Sequence, residues 1–222
     1  MAQIFRRSMN TIAKASIVAA VLLGGIAFYI STQIVRSSYF TGIYLDRQQP
    51  VQFSHKHHSG DDGIDCRYCH TAVETSSSAG MPPTQTCMNC HNQIWSDSPY
   101  LEVVRASYRD NKPIEWERVH DLPDYVYFNH SIHVAKGVGC TTCHGRMDEM
   151  PSVHQVSTLQ MEWCLSCHRE PEKFLRPKSE IYNMDWRPQN VSAEEIAEGE
   201  QLKKDYKVRN LAFMQSCSTC HR

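Results

Sequence analysis

The chain has 222 residues, with 23 Lys+Arg against 24 Asp+Glu, a formal net charge of −1, 41% hydrophobic residues, 10 Cys and 12 His. That length suits one modest domain or two small ones. With no basic excess and no long run of one charge sign, nucleic-acid binding is not expected.

The first predicted element is a membrane helix. Between Lys14 and Arg36 lie 21 residues, Ala15 to Val35, without a charge; as a helix they span about 31 Å, close to the hydrocarbon thickness of a bilayer. Arg6, Arg7 and Lys14 precede the run, so the positive-inside rule places residues 1–14 in the cytoplasm, 15–36 in the cytoplasmic membrane and 37–222 on the periplasmic or extracytoplasmic side. The competing reading is a cleaved signal peptide, with Ile17 to Ala27 as its apolar region and Gly25-Ile26-Ala27 as its cleavage site. Against it, the apolar run continues through Phe28, Ile30, Ile34 and Val35. Gly24-Gly25 offers a place for another helix to approach closely.

Beyond the span, all ten cysteines fall into five C-x-x-C pairs, and in every case the next residue is His. The sites are Cys66/Cys69 with His70, Cys87/Cys90 with His91, Cys140/Cys143 with His144, Cys164/Cys167 with His168, and Cys217/Cys220 with His221. C-x-x-C-H is the attachment pattern of c-type haem: two thiols bond to the vinyl groups and the adjacent imidazole becomes the proximal iron ligand. Two intervening residues make one tight turn that sets both sulfurs along one porphyrin edge, and the following side chain folds beneath the ring. Zinc and disulfides are the alternatives, but neither requires His directly after each pair. The expectation is five covalently bound haem c groups.

A first module, residues 51–93, opens with Phe53-Ser54-His55-Lys56-His57-His58 and holds the first two motifs; a second, 126–170, opens with Phe128-Asn129-His130-Ser131-Ile132-His133 and holds the next two. Both openings read F-x-H-x-x-H, an internal repeat. Two His at i and i+3 are neighbours on a turn yet diverge enough to serve two irons. His55, His58, His130 and His133 are therefore the expected distal ligands of four haems, while His57 falls outside the pattern. The fifth motif, 217–221, is followed by one residue, so its distal ligand must come from earlier sequence. His120 is the first choice, with His154, Met150 and Met161 as competitors; a Met ligand would raise the potential of its haem.

Strand signals are poor, and turn-rich segments such as Ser59-Gly60-Asp61-Asp62-Gly63 and Met81-Pro82-Pro83 separate the motifs. Ser192-Ala193-Glu194-Glu195 reads as a capping box opening a helix to about Tyr206, interrupted by Gly199 and charged enough to read as solvated. The predicted fold is a multihaem cytochrome c with little regular secondary structure: short α-helices around five covalent haems, which supply most of the apolar core, plus one N-terminal transmembrane helix.

The motifs resemble those of one family. Phe53-x-His55-x-x-His58, Met81-Pro82-Pro83-Thr84-x-Thr86-Cys87-Met88-x-Cys90-His91, Val119-His120-x-Leu122-Pro123-Asp124-x-Val126-x-Phe128-x-His130-x-x-His133 and Met161-x-Trp163-Cys164-x-x-Cys167-His168-Arg169 are similar to the pentahaem cytochrome c subunit of bacterial alternative complex III, a quinol-oxidising membrane complex. They cover most of residues 50–170; the C-terminal connector is less diagnostic. The resemblance implies partners: an iron–sulfur, molybdoenzyme-like subunit, polytopic quinol-binding subunits, and a monohaem cytochrome c or terminal oxidase as acceptor. It implies no fixed residue at His154. The membrane span carries no acidic or basic side chain, so a partner is expected to supply any quinol pocket.

Two other functions compete with an electron-transfer relay. A catalytic multihaem enzyme acting on nitrite or hydroxylamine needs an open iron position, whereas seven spare His and several Met exceed the demand of five irons here. A stand-alone membrane-anchored quinol dehydrogenase of the tetrahaem type has its first motif soon after the anchor, whereas Cys66 lies well beyond Val35.

Overall fold

The computed structural model describes residues 4–186 and 192–221; residues 1–3 of the expected cytoplasmic segment and Arg222 lie outside the described residues. The chain divides into two units, Met1–Ile43 and Tyr44–Arg222.

In the first unit, α1 (Ser8–Arg36) and the single turn α2 (Ser38–Thr41) follow one another. Helix α1 has 29 residues, is long and apolar enough to cross a membrane, and buries none of its side chains within the chain. Three of its hydroxyls are satisfied locally: Ser16 donates to Ala13 O (2.9 Å), Ser31 to Ala27 O (2.8 Å) and Thr32 to Tyr29 O (2.7 Å). Such back-bonding keeps these three donors paired in an apolar medium. Ser37, extended at ψ 160°, ends the helix.

The second unit is helical, with no strand among the described residues and two isolated bridges, Val126 with His221 and Val138 with Leu175. A π-helical turn, Lys56–Asp61, comes first. The helices are α3 (Cys66–Cys69), α4 (Thr84–His91), α5 (Glu102–Asp110), α6 (His130–Ala135), α7 (Cys140–His144), α8 (Met161–Arg169), α9 (Ala193–Asp205), α10 (Leu211–Met214) and α11 (Cys217–Cys220). Most are one or two turns long, which is marginal in isolation; something other than helix propensity must hold them.

Helix α5 lies between the two modules, where the sequence marks no motif. It packs Val104 and Ser107 toward α4, with Ser107 Oγ 2.7 Å from Thr84 Oγ1, and stops where Asn111 turns left-handed at φ 50°. Helix α9 opens on the expected capping box: Glu195 N donates to Ser192 Oγ (3.2 Å) and Ser192 N to the Glu195 carboxylate (2.7 Å). It is largely solvated, as its charges suggested, but one face of it docks. Gly199 is buried against the Pro171–Lys173 turn, so close to the Glu172 carbonyl that a Cβ would overlap it, and Lys203 pairs with Glu172 at 2.9 Å.

Among the described residues the buried apolar side chains number only six: Val51, Val73, Val104, Met150, Leu175 and Ile181. Large apolar side chains such as Trp95, Tyr125 and Tyr127 stand exposed instead. A chain from Tyr44 to His221 cannot offset its conformational entropy with so small a core.

Candidate functional site

All five C-x-x-C-H sequences form or lie in helical turns, α3, α4, α7, α8 and α11, and all ten thiols are free of disulfides. Asp65 caps α3 by accepting from Arg67 N (2.8 Å). Burial pushes the Cys143 thiol up to about 12, and the Cys140 and Cys167 thiols to about 11, so they are neutral. Zinc needs ionised thiolates gathered in threes or fours. No group of three or more His, Cys, Asp or Glu suited to a metal occurs among the described residues.

The imidazoles are arranged in facing pairs. His55 faces His70 with ring centroids 6.5 Å apart and the planes at 0°; His58 faces His91 at 6.1 Å and 68°. In the second module His130 faces His144 at 6.4 Å and 13°, and His133 faces His168 at 6.3 Å and 35°. Each pair joins the imidazole of one motif to one His of an F-x-H-x-x-H segment. Two imidazoles on opposite sides of one metal ion, each about 2.0 Å from it through nitrogen, hold their centroids about 6.3 Å apart. The four spacings fit that arrangement.

The rings are aimed by their other nitrogen. Nδ1 lies at hydrogen-bond distance from a backbone carbonyl in His70 (Gly80 O, 2.8 Å), His91 (Ile94 O, 3.0 Å), His168 (Met214 O, 2.8 Å) and His221 (Tyr125 O, 3.1 Å). The same holds for His58 (Ser54 O, 2.9 Å), His130 (Ser77 O, 2.8 Å) and His133 (Asn129 O, 2.7 Å). A carbonyl acceptor fixes the proton on Nδ1 and leaves Nε2 as the free electron pair, as ligating histidines require. Burial, followed by neighbouring imidazoles, lowers His144 to about 3 and His55 to about 4, so both are neutral at physiological pH.

The Phe of each repeat has one geometry in both modules. Phe53 meets His55 edge-on (4.9 Å, 88°) and stacks on His58 (4.4 Å, 25°); Phe128 meets His130 edge-on (4.7 Å, 88°) and stacks on His133 (4.5 Å, 23°). The repeat therefore encodes a three-ring unit, built on a π-helical turn in the first module and on α6 in the second.

The remaining candidates fall elsewhere. His120 lies against His144, centroids 4.3 Å apart and planes at 71°, which is too close for the two rings to stand on opposite sides of one iron, and its Nε2 is buried without a partner. It does not stand against His221, whose ring neighbour is Tyr125 at 5.7 Å. The expectation that His120 completes the fifth site is thus not met by ring contact: its segment is packed beside the third motif. His154 is paired with Asp46 at 3.4 Å, and His57 lies over Trp95 at 6.2 Å. Met150 is buried, its carbonyl accepting from Lys56 N (3.0 Å), whereas Met161 is exposed.

Arg176 was not legible from the sequence. It is wholly buried, and its guanidinium donates to Glu180 O and Asn183 O (both 3.3 Å), to Thr141 Oγ1 (2.9 Å) and to Thr142 Oγ1 (3.3 Å), and Trp186 covers it at 4.2 Å. It thereby braces the two residues between Cys140 and Cys143. A lone Arg in a connector has no periodicity to mark it.

The scarcity of apolar core, the facing imidazoles and the neutral thiols beside them together fit haem c. A multihaem relative points the same way. Over 103 residues the chain is 36% identical to the menaquinone reductase, multiheme cytochrome c subunit, of Nitratidesulfovibrio vulgaris strain Hildenborough, covering 46% of this chain and 48% of that protein, so the match spans about half the length of each. Residues 51–101 and 126–222 match the family described as cytochrome c7 and related cytochrome c. Those segments are most of the chain and hold every C-x-x-C-H motif, and it belongs to that family: it is a multihaem, electron-transferring cytochrome c.

Proposed function

We propose that this chain is a pentahaem electron-transfer subunit that carries electrons from a quinol-oxidising membrane complex of the alternative complex III kind to a cytochrome c or terminal oxidase. The observation that carries the reading is the set of four imidazole pairs at 6.1–6.5 Å, each joining a motif histidine to a repeat histidine. Haem c, when bound, supplies a one-electron ferric/ferrous couple. Cys66, Cys69, Cys87, Cys90, Cys140, Cys143, Cys164, Cys167, Cys217 and Cys220 tether five haems, and His70, His91, His144, His168 and His221 are the proximal ligands. His55, His58, His130 and His133 fill the distal positions of the first four. Imidazoles on both faces would close the first four irons to substrate, which favours relay over catalysis, and backbone carbonyls already hold most of these rings in place. Helix α1 anchors the chain in the cytoplasmic membrane with its N-terminus inside. The named subunit of the N. vulgaris protein belongs to a menaquinone reductase, which favours quinone-linked partners here: an iron–sulfur, molybdoenzyme-like subunit, polytopic quinol-binding subunits and a monohaem cytochrome c.

The test is intact-mass analysis of the full chain purified in mild detergent, with absorption spectra and identification of co-purifying chains. Five haem additions, low-spin spectra without appreciable carbon monoxide binding, and association with quinol-binding subunits are expected. A large high-spin fraction would favour a catalytic reductase, and quinol turnover by the isolated chain a stand-alone dehydrogenase.

A further inference from the structure

The motifs are not neighbours in the order in which the chain writes them. We infer that the five haems form a single file in the order second, first, third, fourth, fifth, so that the haems of Cys87–His91 and Cys217–His221 are its two ends and that of Cys66–His70 is interior. This order rests on the pentahaem reading above and adds to it the points where electrons enter and leave.

Each link is a contact between named residues. The second and first haems share the turn that carries His58, facing His91, and His55, facing His70. The first and third are joined by the loop following His70. Gly80 O holds His70 Nδ1 (2.8 Å), while Ser77 O, three residues earlier, holds both Nδ1 (2.8 Å) and the backbone N (3.1 Å) of His130, the imidazole that faces His144. Ser131 N donates to Ser76 O (3.1 Å) beside it. The third and fourth share α6 through His130 and His133. The fourth and fifth meet where Met214 O, at the end of α10 and three residues before Cys217, holds His168 Nδ1 (2.8 Å).

The motif cysteines repeat the same neighbourhoods. Cys87 and Cys90 are within electrostatic reach of Cys69, Cys66 of Cys140, Cys167 of Cys143, and Cys220 of Cys164. The inversion of the first two motifs follows from one fact: the loop that closes behind the first motif, and not the one behind the second, is the surface on which the second module docks. Electron hopping falls steeply with distance, so this adjacency sets the path.

The order is tested by counting neighbours. Replacing a distal His by Met raises the potential of that haem, so at a chosen poise it alone is ferrous and its ferric neighbours lose a paramagnetic partner. In full-length protein loaded with haem, His58→Met is expected to alter the electron paramagnetic resonance signals of one neighbour, and His55→Met those of two. One neighbour for His55→Met and two for His58→Met overturns the order in favour of the written sequence. Iron positions from anomalous scattering on wild-type crystals answer the same question without substitution: the iron at His91 has one near neighbour, the iron at His70 two. Finding fewer than five irons refutes the pentahaem reading itself, whereas five irons in another order refute only the order.

Discussion

Gly139, immediately before the third motif, is required by its neighbour and not by its backbone. Its φ of −82° and ψ of 155° suit any residue, but a Cβ built on it overlaps the Arg176 guanidinium at Cζ, Nε and Nη1. That guanidinium cannot retreat, because Nη1 and Nη2 are each engaged by two acceptors and Trp186 lies over it. Overpacking a rigid site costs about 1–3 kcal/mol. Displacing hydrogen bonds made by a charged donor adds about 1.5–3 kcal/mol for each bond lost, and the reduced freedom of the unfolded chain returns about 0.4–1 kcal/mol. Gly139→Ala is therefore expected to destabilise the haem-loaded protein by about 3 kcal/mol if one bond breaks. Guanidinium chloride unfolding of the full chain in detergent, followed by far-ultraviolet dichroism and the Soret band, measures it, with haem content checked by mass. In an Arg176→Met background the unbranched side chain can yield, and the cost of Gly139→Ala should fall below about 1 kcal/mol, a coupling of about 2 kcal/mol between two residues in contact. Equal costs in the two backgrounds would refute the steric argument.

Gly199→Ala should also destabilise, by about 1–3 kcal/mol, although Gly to Ala inside a helix is ordinarily worth about 1 kcal/mol of stability; the Glu172 carbonyl that a Cβ would meet reverses the sign, and protease sensitivity of α9 reports it. Burial alone would raise the Glu172 carboxyl, but the Lys203 ammonium outweighs it and holds it below the usual carboxylate range. Its contribution is thus complete above that range and lost as pH falls through it, and Lys203→Met should remove about 1 kcal/mol of that acid-sensitive stability, read from unfolding midpoints at neutral and acid pH. Expressed without haem-ligation machinery, the segment from Tyr44 onward should be digested without a protease-resistant core, whereas recovery of a resistant fragment would show that protein packing suffices.

What the sequence made legible was what repeats or caps. The F-x-H-x-x-H segments are local, so their period survives any tertiary context, and in both modules the Phe stacks on the second His in the same way. The Ser192 capping box is equally local. What stayed hidden depends on distant partners. His120 looked free to reach the end of the chain, yet its ring packs on His144. Gly199 read as a blemish in a solvated helix because nothing near it in sequence announces the Glu172 carbonyl. The partners of four of the five motif imidazoles are backbone carbonyls of Gly80, Ile94, Met214 and Tyr125, and a carbonyl belongs to every residue, so no residue type marks it.

If His55, His58, His130 and His133 are the distal ligands, as proposed above, the same geometry accounts for their coming in pairs on one turn. With only six apolar side chains buried among the described residues, the domain's folding energy would come largely from cofactor burial and iron ligation, since a site absent from the unfolded chain converts binding energy into folding energy. A lone distal His on a short segment would have to order that segment for a single bond, at about 1–2 kcal/mol of backbone entropy per residue. Two ligating His on a turn, with one Phe packed against both, would spread that ordering cost over two irons. Once His55 is held opposite His70, His58 is already positioned opposite His91. On the proposed ligation the consequence would be coupling: loosening the turn at Phe53 would weaken distal ligation opposite both His70 and His91, and loosening it at Phe128 would do so opposite His144 and His168.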